Sequence, residues 1–409
     1  MNTMKRPLLR RDIQLISTVI EEKQVILFMD PLRLVQNSFA VDISLLPLLN
    51  TLNGQNDLRD IQMGMMRQHG GRLVSLSEVE AFIEQLDSIF LLDSDLFHEK
   101  VESVYGEFSR LENRPPSHAG SAYEADPEKL SRFIDVIEQN LPRDDSDYTH
   151  QHITGVVAPH IDIMVGSTTY IDLYRHVKGK NYKLVIILGI DHQWNDGLYS
   201  VSEKNFITPF GTIKTDRDFI SQLIKRVPQG TLSSNDFGHR IEHSIEFQTI
   251  FLHYYLEEPF CIVPILCGGI HEFIYQGNNI FADERFTKMT DVLSELIQAG
   301  GNNALIVSGV DFSHIGFKFG HQMTAEALLP QAQSYDRTII SHLLQGQPDK
   351  IFESTVETRD RFNVCGLPSI MIFSRLLQGS TGKLLAHETY NEPATQSAVT
   401  YASMIFTSQ

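Results

Sequence analysis

The chain has 409 residues, 42% hydrophobic and 21% charged; that is longer than one hydrophobic core usually serves, so a small domain beside a large one is expected. No apolar run approaches the roughly 20 residues that span a bilayer, and no apolar leader segment follows the basic cluster Lys5, Arg6, Arg10 and Arg11, so a cytoplasmic protein is expected, with neither secretion nor membrane insertion. Asp and Glu outnumber Lys and Arg by 51 to 34, and a net charge of −17 with no basic stripe speaks against a nucleic-acid partner.

In chain order, QVILFMD reads as a strand, SLLPLLNTLNG as a short helix closing on Gly54, and DLRDIQMGMMRQHG as a second helix ending at glycines. In SLSEVEAFIEQLDSIFLLDSD, Ser77 with Glu80 has the capping-box pattern, and Val79, Phe82, Ile83, Leu86, Ile89 and Phe90 recur at helical spacing. Helix, turn, helix, glycine and a short extended piece resemble a winged-helix unit, in an order similar to the PqqD-like domains that hold leader peptides. A packing module without a function of its own fits the same residues. The second helix carries only Arg59 and Arg67 as cations, which disfavours DNA binding. The polar FSRLENRPPSHAG, with two prolines, marks a boundary between a domain over 1–105 and another over 106–409.

Beyond it, apolar runs alternate with helical patterns: ITGVVAP then TTYIDLYRHV, KLVIILG and later DFISQLIKRV, PFCIVPILCGG then FTKMTDVLSELIQAG, and NALIVSG. This alternation predicts an α/β domain with a largely parallel sheet, and runs apolar at both parities predict strands covered on both faces.

Ligands of such sheets bind beyond the carboxyl ends of the strands. There the runs lead into His160, His192, His271 and His314, with Asp162, Asp191 and Asp311 close by. One histidine alone would read as a polar strand end; four together predict a metal centre, because imidazole is a common ligand and a carboxylate can orient it. HRIEHSIEFQTIFLHYYL adds His239, Glu242, His243, Glu246 and His253, and a spacing of four pairs Glu242 with Glu246 and His239 with His243 if the helix begins early enough. Its order is not His-Glu-x-x-His, so zincin chemistry is not expected. Glu242 and His243 are candidates for proton transfer, whereas Glu246 reads as part of a solvated face.

The three cysteines, Cys261, Cys267 and Cys365, are too few for a disulfide framework. Cys365 precedes a helix expected to start near Pro368, where the helix dipole would lower the thiol pKa. Cys261, within an apolar run, reads as inert and buried, and Cys267 as intermediate. No Walker loop, dinucleotide fingerprint or Gly-x-Ser-x-Gly elbow occurs.

PSHAGSAY (116–123), APH (158–160), LGIDH (188–192), EHSIEFQ (242–248), VPILCG (263–268), SGVDFSHIG (308–316) and NVCGLP (363–368) resemble, in order, the motifs of the Memo family, whose bacterial members are called AmmeMemoRadiSam system protein B. The resemblance implies a fold similar to class III extradiol dioxygenases, the non-haem iron enzymes that open catechol rings. That is an α/β domain with a central largely parallel or mixed sheet flanked by helices, here beside the small helix-rich, winged-helix-like N-terminal domain. It places metal ligands on His160, His192 and Cys365 and puts His243, Asp311 and His314 in the same pocket, bordered by His118 and Tyr123. Ile161-Asp162 stands where many members have Ala-Gly, and His192-Gln193 where others have a His pair, which bears on pocket shape and substrate. Fe(II) is the expected metal, with copper or zinc as alternatives, and a dioxygenase-like oxidoreductase acting on a small molecule or peptide is the expected activity, with His243 and His314 as its acid/base groups and Asp311 and Glu242 as further catalytic candidates. The thiolate in place of the usual carboxylate ligand is softer and oxidisable, so ring cleavage does not follow automatically. The competing expectation is a metal- or peptide-binding adaptor working with a radical SAM protein and an AMMECR-type protein.

Overall fold

The computed structural model describes residues 5–20, 23–35, 39–68, 70–142, 148, 151–193, 196–301 and 303–408. The chain divides into two compact units: one runs to Arg110 and takes in Pro393–Thr395, the other holds Leu111–Glu392 and the chain from Gln396 onward.

The smaller unit packs a three-stranded antiparallel sheet, Gln14–Ile20, Lys23–Met29 and Phe39–Asp42, with the helices Leu46–Leu49, Leu58–Gln68, Leu76–Ser88 and Asp95–Ser109. Ile26 and Phe28 of the middle strand share a core with Leu48, Ile61, Val79 and Ile83. Arg10, read from sequence as one of a basic cluster, is instead buried, its guanidinium bonded to Asp12, Asp30 and the Phe90 carbonyl. Two further expectations are corrected. The stretch Arg72–Val74 after the glycines forms no strand. The capping box closes on Ser75 and Glu78, with Ser75 N donating to Glu78 Oε2 at 2.7 Å and Glu78 N to Ser75 Oγ at 3.2 Å. Starting the helix there turns Val79, Ile83 and Leu86 inward.

In the larger unit, Ile153–Ala158, Ala304–Gly309, Leu184–Ile190 and Cys261–Cys267 lie side by side and parallel. The sheet is mixed because Ser397–Thr407 joins Ile153–Ala158 antiparallel and itself pairs antiparallel with Asp311–Gly316 and Thr381–Glu392. Opposite parities of the central strands serve opposite layers. Val157, Ile186, Leu188, Val263, Ile265 and Ile306 pack under the helices Glu284–Ala299, Ala325–Leu344 and Leu367–Leu376. Val156, Ala158, Val185, Ile187, Leu305 and Val307 pack under Pro127–Asn140, Ile163–Tyr174 and His243–Tyr255. This arrangement accounts for the unbroken apolar runs. Among the described residues, no helix is long and apolar enough to cross a membrane.

The helix His243–Tyr255 is pressed onto the carboxyl ends of two strands. Ile190 N donates to Ser244 Oγ at 2.9 Å and Gln248 Nε2 to Pro159 O at 2.9 Å. The approach requires Gly309, where a Cβ would lie 2.5 Å from Ser244 O and 2.9 Å from Gln248 Nε2. Gly309→Ala is therefore expected to lift the start of this helix and destabilise the unit by about 1–3 kcal/mol, read by chemical denaturation; an unchanged midpoint would show that the contact is slack.

Candidate metal centre

Three connections at the carboxyl edge of the sheet deliver the ligand candidates. His160 follows Ile153–Ala158 and is held on two sides, its backbone N donating to Asp311 Oδ1 at 2.9 Å and its Nδ1 lying 3.0 Å from the Gly309 carbonyl. That carbonyl takes the proton of Nδ1 and leaves Nε2 as the donor nitrogen. Cys365, in the turn before Leu367–Leu376, brings its sulfur to 3.3 Å from this Nε2. His192 follows Leu184–Ile190, with its Nδ1 3.0 and 3.1 Å from the two carboxylate oxygens of Glu242. One donor atom from each of His160, His192 and Cys365 lies within 4.8 Å of the others.

His243 closes the group, its ring 5.1 Å from that of His160 and 5.0 Å from that of His192. Glu242 is the N-cap of this helix: it accepts from Ser244 N at 2.9 Å while approaching Nδ1 of both His192 and His243. Burial, reinforced by the charges of His192 and His243, holds His160 well below its ordinary pKa, in the neutral form that ligates metals. Burial would also lower His192, but Glu242 and Cys365 together outweigh it and raise that ring; reciprocally, His192 and His243 keep Glu242 a carboxylate against its burial. Burial pushes Asp311 up to about 7 against the backbone N–H groups of His160 and Ile161, and Asp191 likewise to about 7.

A family model described as Memo-like protein matches residues 114–405. The chain belongs to the Memo family. It is 30% identical over 380 residues to a MEMO1 family protein of Aquifex aeolicus, covering 92% of this chain and 94% of that one. It is 30% identical over 314 residues to MEMO1 family protein PH1626 of Pyrococcus horikoshii, and 26% identical over 304 residues to a MEMO1 family protein of Methanosarcina mazei. These two relatives are covered over 98% and 99% of their length by 71% and 72% of this chain.

The Memo-family match starts at Arg114, a residue that sequence reasoning passed over. Its buried guanidinium donates to Glu246 Oε2 at 2.6 Å, to the Glu242 carbonyl at 2.8 Å and to the His239 carbonyl at 2.7 Å. Glu246 is correspondingly not on a solvated face: it is buried and also accepts from Tyr123 Oη at 2.6 Å and His118 N at 2.9 Å. Burial alone would raise its carboxyl, but Arg114, with His118 and Tyr123, holds it well below the usual carboxylate range. The readable signal was Glu246, an acid among the apolar residues of the helix His243–Tyr255, which needs a buried cation. His118 and Tyr123 thus stand behind the centre, and the His118 ring lies 5.8 Å from that of His243.

The remaining candidates sit as follows. Asp162 is exposed and caps the helix Ile163–Tyr174 through Met164 N. Asp191 accepts from Gln193 N at 3.0 Å and, with His192, Gly268, His271 and Arg285, lines a cleft of about 520 Å³. His314 sits on Asp311–Gly316, its Nδ1 2.9 Å from the Phe312 carbonyl and 3.1 Å from that of Asn363, and its ring meets Phe319. His239 lies in the tight turn Phe237–Arg240 and shares no helix face with His243, because the helix begins only at His243. The cysteine expectations are also corrected. Cys267 is fully buried and Cys261, at the open start of its strand, only partly so. Burial raises the Cys365 thiol, with His192 pulling the other way, so the helix start after it does not dominate.

Proposed function

We propose that His160, His192 and Cys365 hold one transition-metal ion, Fe(II) foremost with copper or zinc as alternatives, and that the chain is a non-haem oxidoreductase acting on a small molecule or peptide. The observation that carries this reading is the meeting of three donor atoms within 4.8 Å from three separate strand or helix ends. The donors suit such an ion: each imidazole has its Nδ1 engaged by a carbonyl or a carboxylate, which sets the tautomer, and the sulfur favours a borderline or soft metal. When bound, the ion would supply Lewis acidity and one-electron chemistry at the positions that three protein ligands leave open.

The remaining roles belong to the chain itself. Glu242 fixes the direction of His192 and anchors Nδ1 of His243, which places His243 to exchange a proton with a substrate beside His192. Asp311 fixes the backbone that carries His160. The cleft beside His192, with Arg285 and His271 on its wall, is the proposed substrate entrance.

Oxygen uptake by the Fe(II)-loaded protein with a panel of catechols and peptides tests the reading. Turnover is expected in wild type, abolished in His160→Ala and reduced about 10²–10⁴-fold in His243→Asn with metal retained; turnover that survives removal of the metal contradicts it. The adaptor reading draws on Phe39–Asp42, a sheet-edge strand paired on one side among the described residues, which offers a peptide strand-addition site. Its distinct expectation is saturable binding to a radical SAM or AMMECR-type partner without product.

A further inference from the structure

The surroundings of Glu242 do more than orient a ligand. His192, Glu242 and His243 form a second set whose donor atoms lie within 4.8 Å of one another. The carboxylate is 3.0 and 3.1 Å from His192 Nδ1 and 3.2 Å from His243 Nδ1, and the two rings stack 5.0 Å apart at 19°. Near-parallel rings that aim the same nitrogen at one carboxylate outline a two-nitrogen, one-oxygen cradle. An imidazole carries two donor nitrogens, and turning Nδ1 of His192 toward Glu242 leaves its Nε2 for His160 and Cys365.

We propose that the centre takes two cations bridged by His192, the second being a borderline divalent ion such as Zn(II), held by His192 Nδ1, Glu242 and His243 Nδ1. This rests on the one-ion reading above, because both sets share His192. The donors match zinc, which binds neutral imidazole and carboxylate readily and keeps water in its open position. Loading the second ion forms the metal–Nδ1 bond of His192 and releases that nitrogen's proton to solvent. Charge supports the pairing: the Cys365 thiolate, the Glu242 carboxylate and a bridging imidazolate offset most of the charge of two divalent ions. Access does as well, since the His192 and His243 side chains are 36% and 32% exposed, so an ion reaches this set from solvent.

Titration of the full-length protein with Zn(II), read by elemental analysis after desalting, is paired with Co(II) loading, in which a thiolate-to-cobalt charge-transfer band reports the Cys365 set alone. The expected result is two zinc ions per chain in wild type and one in His243→Ala and His243→Asn, with the cobalt–thiolate band kept in both variants. Cys365→Ser should lose the band and keep the second ion. One zinc per chain in wild type with the band present overturns this inference and leaves the one-ion reading intact, as does a second zinc that persists in both His243 variants. Absence of the band in wild type overturns the one-ion reading and this inference with it.

Discussion

Arg114→Met is expected to lower the unfolding free energy of the larger unit by about 3–5 kcal/mol, the range for leaving a buried charge without its partner. The partner is Glu246, held at 2.6 Å, with both side chains almost wholly buried. The loss should exceed that from deleting a surface ion pair such as Lys350–Glu353, whose charges are screened by solvent. Adding Glu246→Gln to Arg114→Met should recover part of the loss, because it removes the orphaned charge. The pH dependence has a definite sign. Glu246 has a folded pKa below its unfolded one, so its contribution is full above the ordinary carboxylate pKa of about 4.3 and fades as pH falls toward the folded value. In Arg114→Met the carboxyl loses its main lowering partner, so its folded pKa rises toward the unfolded one, this share of stability shrinks, and its loss on acidification is complete at a higher pH than in wild type. Denaturant titrations at several pH values check both statements, and equal stability of wild type and Arg114→Met would refute them.

Glu242→Ala should weaken metal binding at the His160, His192 and Cys365 set about 10–100-fold, although Glu242 is not one of the three proposed ligands. The carboxylate fixes the tautomer and direction of His192 through contacts of 3.0 and 3.1 Å and also caps the helix through Ser244 N. Loss of the cap adds about 1 kcal/mol of destabilisation, which denaturation separates from the metal effect. Chelator competition gives the affinity, and an unchanged value would mean that His192 needs no such support.

Much of the larger unit was readable in the sequence because its central strands are buried on both faces: VVIIL-type runs between helical patterns leave little choice but a covered, largely parallel sheet. The C-terminal hairpin Thr381–Glu392 and Ser397–Thr407 escaped notice, since its first strand is largely half-exposed and carries no apolar run. Of the small unit's strands only the middle one stood out, and the short edge strand Phe39–Asp42 gives too little pattern to read. The proposed ligands drew attention because each follows a strand or precedes a helix. Arg114 did not, because the partners that hold its charge in the core, Glu246 and the His239 and Glu242 carbonyls, lie 125–132 residues away. Glu246 was misread for the same reason, its helical spacing from Glu242 being compatible with solvent or with a salt bridge in the core.

The sharpest test of the account is X-ray absorption at the metal edge of protein loaded anaerobically with one equivalent of Fe(II). Two imidazole nitrogens and one sulfur in the first shell are expected for wild type, and Cys365→Ser should lose the sulfur scatterer while keeping both nitrogens. A wild-type spectrum without sulfur, or one that Cys365→Ser leaves unaltered, would contradict the claim that these three side chains share an ion.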